Sequence, residues 1–215
     1  MKKFVTFITS LLIAFSFTKT VLADGHQIYG PYPITLKGYD GDKTNSVKYT
    51  GQMARHALHD SLKAVVKTGD VAKMMAYYNG EDGLAIVAPA SKGDFVIKQT
   101  MISEIGSGNL SGKMYKGYIP GWGNLTGPEA IEHMMAKAGE VEGGFDPNTG
   151  MDYTQLISKF AMGAVFYNQA VNSYLGSKME IGQKPNSEPY KEGAYYTGKE
   201  HSWDEAFGYW GSAAH

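Results

Sequence analysis

The chain contains no cysteine. That excludes a disulfide framework, thiol catalysis, thiolate metal ligation and a lipidated N-terminal cysteine. An excess of one charge is also missing. Twenty Lys and Arg stand against 21 Asp and Glu with no basic stripe, so nucleic-acid binding has no electrostatic support. There is no Gly-x-Ser-x-Gly elbow and no glycine loop between a strand and a helix, which leaves serine hydrolysis and phosphate cradling without a motif. Long apolar runs are scarce. The single candidate, Phe4 to Phe17, is shorter than the ~20 residues that a spanning helix needs. Lys2 and Lys3 precede it and Val21-Leu22-Ala23 follows it with small-residue cleavage character. Residues 1–23 are therefore expected to be a secretory signal, cut between Ala23 and Asp24. The remainder, about 190 residues, is expected to be soluble, periplasmic or secreted, without a membrane span. Its stability must come from packing or from a bound ligand.

What is abundant is glycine, at 27 residues, and tyrosine, at 15, a composition that suits short helices joined by many turns. Residues 24–50, with Pro31, Pro33 and Gly38-Tyr39-Asp40-Gly41, read as an irregular arm packed on the domain. Residues 51–215 read as one helical bundle domain. Met53, Ala57, Leu58, Leu62, Val65 and Val66 recur at helical spacing over Gly51 to Thr68. Gly69 should stop that helix, and Asp70 should cap the next one, Val71 to Tyr78. A further helix is expected around Phe95 to Glu104, and another from Pro128 to about Ala138. Met151 to Leu175 reads as the best helix, with Leu156, Phe160, Gly163, Ala164, Tyr167, Ala170, Val171 and Tyr174 on one apolar face. The small pair Gly163 and Ala164 would admit a close helix neighbour. Thr197 should cap a final helix. The fold class expected is all-α: an irregular bundle of about six helices with long loops.

The densest chemistry lies in Thr197 to His215. His201 and Glu205 stand four apart and Asp204 three from His201, so they share a helical face, with Glu200 near the helix start. Imidazole and carboxylates suit iron, zinc or manganese, although one helix supplies only part of a coordination sphere. The plainer reading is a polar face with a local His–Glu bond, Glu200 serving the helix dipole, and Trp203, Phe207 and Trp210 filling the core. His56, His59 and Asp60 form a second cluster, but no glutamate follows the first histidine, so the helical zinc-protease signature is absent. Glu132-His133 suits a solvated helix surface. Asp146 to Asp152 looks superficially like a calcium loop, yet Ile157 occupies the twelfth position where a bidentate glutamate is needed, so a turn is expected. Trp122 and Tyr118, in a glycine-rich loop, suit either sugar stacking or plugging of the bundle.

The run Tyr196-Thr197-x-x-Glu200-His201-x-Trp203-Asp204-Glu205-Ala206-Phe207-Gly208-Tyr209 resembles the signature of an exported bacterial family of unknown function. Members tend to carry a second histidine where Ser202 stands. Lys159 to Gln169 and Tyr49-Thr50-Gly51-Gln52 resemble it as well. That family is similar to the imelysin-like proteins, exported helical bundles tied to iron uptake. Their Gly-x-His-x-x-Glu hallmark contributes to a metal site. The resemblance implies His201 as the hallmark histidine and Asp204 at the glutamate's spacing, with Glu205 one further; Lys199 replaces the glycine. It also implies members longer than this chain, which would make the chain the N-terminal half of a larger bundle.

The leading expectation is an envelope binding protein associated with a divalent metal, iron or zinc, through His201, Asp204, Glu205 and Glu200. Envelope or transport proteins would be its partners. The first alternative is a metal-dependent hydrolase of envelope peptides or glycans with Glu205 as base. The second is a metal-free structural or carbohydrate-binding module using Trp122 and the tyrosines.

Overall fold

A computed structural model describes residue 34, residues 36–87 and residues 98–210. The secretory signal expected at residues 1–23 lies outside them. The described chain is all-α apart from one very short hairpin. Its helices are α1 (Thr50–Val66), α2 (Val71–Asn79), α3 (Gly127–Gly139), α4 (Tyr153–Ala161) and α5 (Gly198–Trp210). A π-helical segment, Met162–Tyr174, continues α4. Strands β1 (Phe145–Asp146) and β2 (Met151–Asp152) pair antiparallel, Phe145 opposite Asp152.

Local chemistry explains most boundaries. Asp70 accepts from the Lys73 amide at 2.9 Å and so caps α2, whose far end is Gly80 in the left-handed region at φ 64°. Thr126 and Glu129 form a capping box at the start of α3, the Thr126 amide donating to Glu129 at 2.8 Å. Asp152 caps α4 through the Gln155 amide at 3.1 Å. The Asp146 segment is a turn, as expected: its carboxylate accepts from the Asn148 amide and the Thr149 hydroxyl.

One core joins these helices. α1 gives Leu58, Leu62 and Val66, α2 gives Met74 and Tyr77, α3 gives Ile131 and Met135, and α5 gives Ala206 and Tyr209. α1 touches α2, α4 and α5, while α5 packs most extensively on the π-helical segment. Among the described residues no helix is long and apolar enough to cross a membrane.

Four expectations need correction. The helix around Phe95 to Glu104 falls partly outside the described residues; within them, residues 98–101 are not helical and only Ile102–Glu104 makes a 3₁₀ turn. The long helix does not start at Met151, because Met151 and Asp152 pair in the hairpin. Its apolar face is also shifted. Ile157, Ala161, Val165, Ala170 and Tyr174 are the buried stripe, at spacings of four and five, whereas Tyr167 and Gly163 are exposed. The Leu175 amide bonds the Ala170 carbonyl at 2.9 Å, five residues back, so each turn holds more residues than the ~3.6 of an α-helix. A face drawn at α spacing therefore rotates off the core. Among the described residues nothing lies within 4 Å of a side chain added at Gly163, so no described helix approaches there. A loop instead laces this segment: the Tyr115 amide donates to the Ala164 carbonyl at 2.7 Å and Gln169 donates to the Lys113 carbonyl at 2.9 Å.

Candidate functional site

α5 begins where the residues say it should. The Thr197 amide donates to Glu200 Oε2 at 2.7 Å and the Glu200 amide to Thr197 Oγ1 at 3.2 Å, a reciprocal cap. From this start, four ionisable side chains fall into two pairs of the same (i, i+4) spacing. They face different surroundings.

His201 and Glu205 lie toward α1. His201 Nε2 is 3.5 Å from Glu205 Oε2, and both side chains are mostly covered. Gln52 of α1 donates to Glu205 Oε1 at 2.9 Å. The His201 ring stacks on Tyr196, centroids 4.7 Å apart, with Tyr190 at 4.9 Å. Burial lowers the imidazole's pKa; Glu205 pulls it up, while Lys48, Lys178 and Lys184 push it down. The ring is thus held neutral near pH 7, the state in which a histidine donates electrons to a metal. Its Nδ1 is buried without a protein partner.

Asp204 and Glu200 lie on the other side, lining a cleft of about 390 Å³ with Ser46, Asn186, Lys199 and Trp203. Asp204 is 6% exposed and its Oδ2 accepts from the Lys48 amide, which ties the segment before α1 to α5. Burial raises the Asp204 pKa to about 7, against the lowering influence of the Lys48 amide. Glu200 is engaged in the cap, and Thr197 passes a hydrogen bond on to Asn186 at 2.9 Å.

The expected four-residue set therefore divides. His201 and Glu205 come together; Asp204 and Glu200 do not join them. Among the described residues no three His, Asp or Glu side chains gather in a group able to hold a metal ion. The pair still fits the nitrogen–oxygen donor chemistry of iron or zinc, and the unpartnered Nδ1 marks a buried polar atom that water or a ligand would satisfy. Any metal there would complete its coordination from solvent or from a bound molecule.

The aromatic residues of α5 correct a second expectation. Trp203 is 48% and Trp210 70% exposed, so they do not fill the core. Tyr209, Ala206 and Gly208 do the packing. A side chain at Gly208 would meet Tyr49 Cβ at 2.7 Å and Gln52 Cβ at 2.9 Å, which shows how closely α5 approaches α1.

The His56–His59 cluster braces helices. His56 Nε2 donates to the Gly208 carbonyl at 2.9 Å while its ring stacks on Phe166 at 4.3 Å, and burial lowers its pKa. His59 Nδ1 lies 3.2 Å from Asp60 and its Nε2 3.3 Å from Ser158 Oγ, an order that resembles a Ser-His-Asp relay. The closer neighbour of Nε2, however, is the Ser158 carbonyl at 3.0 Å. That nitrogen carries a proton toward the carbonyl and has no lone pair to take one from the hydroxyl. Ser158 is also only 2% exposed. The trio is a helix clamp.

Glu132 and His133 are exposed on α3. Trp122 packs against the core, edge-on to His133 at 6.5 Å, so it plugs the bundle; Tyr118 is 70% exposed. Residue patterns missed Gln52, which bonds Glu205, and Tyr190 and Tyr196, which pack on His201. Only Gln52 and Tyr196 carried a signal, as members of the runs that resemble the exported family.

These features define an all-α domain in which the ionisable side chains of α5 divide between two environments. Residues 126–215 contain a domain of unknown function (DUF4856), which spans α3, the hairpin, α4, the π-helical segment and all of α5. No curated protein and no solved structure matches this chain.

Proposed function

We propose that this protein is a binding domain of the bacterial envelope, not a catalyst, and that it associates with a divalent or trivalent metal through His201 and Glu205. One observation carries the reading: the 3.5 Å approach of a neutral, mostly covered imidazole to a carboxylate one turn away, with the other ring nitrogen buried and unpartnered. A metal shared by the pair would bind at Nε2 and a Glu205 oxygen, leaving Nδ1 to carry the ring proton toward water or a bound molecule. Gln52 orients Glu205, and Tyr196 and Tyr190 fix the imidazole plane. The resemblance to exported, imelysin-like bundles and the secretory signal expected at residues 1–23 support an envelope setting. Asp204 and Glu200 serve the fold.

Thermal melts of the exported protein with Fe(II), Zn(II) or Mn(II) test this. Ligand at a hundred times its Kd stabilises by about 2.7 kcal/mol, a rise of roughly 5–10 °C for a domain of this size. His201→Ala and Glu205→Gln should abolish the rise, while Asp204→Asn and Glu200→Gln should retain it. An undiminished rise in His201→Ala would overturn the assignment.

A further inference from the structure

We propose that a groove along the outer face of the π-helical segment binds an acidic oligosaccharide, a chain of sugar rings that carry carboxylates. Two cavities make the groove. One, of about 460 Å³, is walled by Phe166, Tyr167 and Trp210 together with Asp60, Lys63 and Lys159. The other, of about 510 Å³, is lined by Tyr115, Gly163, Asn168 and Asn172. Lys159 and Tyr167 line both, so the two adjoin. Each has the volume of a small-ligand pocket, and the two end to end suit an elongated ligand. The winding of the segment builds the row between them. Bonding five residues back brings side chains five apart nearly into line, whereas on an α-helix they would point about 140° apart. Met162, Tyr167 and Asn172 stand at that spacing, and all three are exposed.

The lining selects the occupant. The exposed rings of Tyr115, Tyr167 and Trp210 offer flat apolar faces on which the C–H faces of sugar rings can lie. Asn172 Nδ2 donates to Asn168 Oδ1 at 3.2 Å, which leaves the Asn168 amide nitrogen as a donor and the Asn172 side-chain oxygen as an acceptor for hydroxyl groups. An apolar helix laid in the groove would strand those amides. Charge then decides between a neutral and an acidic glycan. Asp60 is engaged by His59 Nδ1 at 3.2 Å. Among the described residues, neither Lys63 nor Lys159 makes an ion pair within 4.0 Å. The neighbour of Lys159 Nζ is a thioether, Met162 Sδ at 3.9 Å. Two cations without counter-ions beside aromatic walls call for carboxylates on the ligand.

Isothermal titration calorimetry at pH 7 on the exported protein tests the groove with three probes: tetragalacturonate, cellotetraose and tetraglutamate. Cellotetraose has the rings without the carboxylates, and tetraglutamate the carboxylates without the rings. Tetragalacturonate should bind at least tenfold tighter than either, and more weakly as salt is added. Tyr167→Ala and Trp210→Ala should each weaken it at least tenfold, with Trp210→Phe keeping most of the affinity. Lys63→Gln and Lys159→Gln should each weaken it at least threefold and leave cellotetraose unchanged. Far-ultraviolet melts confirm that each variant folds. His201→Ala should leave every glycan affinity as it was, which separates this site from the metal reading. Equal binding of cellotetraose would overturn the acidic class, and equal binding of tetraglutamate the sugar. Tetragalacturonate binding that is indifferent to Tyr167 and Trp210, or absent altogether, would overturn the groove. So would a dimer in sedimentation that Trp210→Ala dissolves, since a second copy would then be the occupant.

Discussion

Glu200/Asp204 and His201/Glu205 are two pairs with identical spacing on one helix, rotated from each other by about 100°. That single-residue offset sends them into opposite environments. His201 and Glu205 meet a side-chain amide, tyrosine rings and cations; Asp204 meets a main-chain amide, and Glu200 its own helix cap. Spacing places two groups on a common face, but the neighbouring elements decide whether that face is a binding site or a brace. Both pairs are costly to bury, and they are relieved differently: Glu205 by Gln52 and surrounding cations, Asp204 by one amide and by holding a proton up to about pH 7.

The sharpest way to separate the pairs is pH. The Asp204 pKa rises from 3.8 to about 7 on folding, so the folded state binds more protons than the unfolded state across that window. Stability contributed by this group is therefore present at low pH and lost as pH climbs from about 4 to 7. His201 and His56 act oppositely, since their lowered pKa values cost stability as pH falls below 6.5. Comparing wild type with Asp204→Asn by denaturant unfolding isolates the aspartate. The variant should gain on the order of 3 kcal/mol above pH 7 and converge with wild type near pH 4. An unchanged pH profile would mean that Asp204 is not buried as described.

Gly208→Ala attacks the opposite face. The new methyl would meet Tyr49 and Gln52 near their backbones, pushing α5 from α1 at a cost of about 1–3 kcal/mol. It should also loosen the Gln52–Glu205 bond, so metal-induced stabilisation should shrink along with the melting temperature. Thr197→Ala should cost about 1 kcal/mol through loss of the cap, without altering metal affinity. The smallest effect belongs to His133→Ala on the exposed surface of α3, expected within about 0.5 kcal/mol of wild type in the same unfolding assay.

Legibility of the fold followed the locality of the signals. α1, α2, α3 and the start of α5 were readable because their signals, Gly69, Asp70, Pro128 and Thr197, act within a few residues; the Thr126–Glu129 box emerged only in the structure. The face of the π-helical segment was not, since an apolar stripe drawn at 3.6-residue spacing cannot anticipate bonding five residues back. Trp203 and Trp210 were misread because hydrophobicity predicts only a preference for burial, whereas the inward positions of α5 are held by Ala206, Gly208 and Tyr209. At the site, His201 and Glu205 were legible as a pair, but the parting of Asp204 was not.

By itself, the order of residues determined an all-α chain, most helix boundaries, the exclusion of thiol and disulfide chemistry, and the candidate helix at Thr197 to Trp210. These are matters of composition and of contacts spanning one turn. Tertiary structure alone decided which carboxylate stands beside the imidazole, that His56 and His59 clamp helices, and that Gln52 of α1 bonds Glu205. Those outcomes depend on segments far apart in the chain, whose mutual approach is set by packing of the whole core and leaves no periodic trace in the residues themselves.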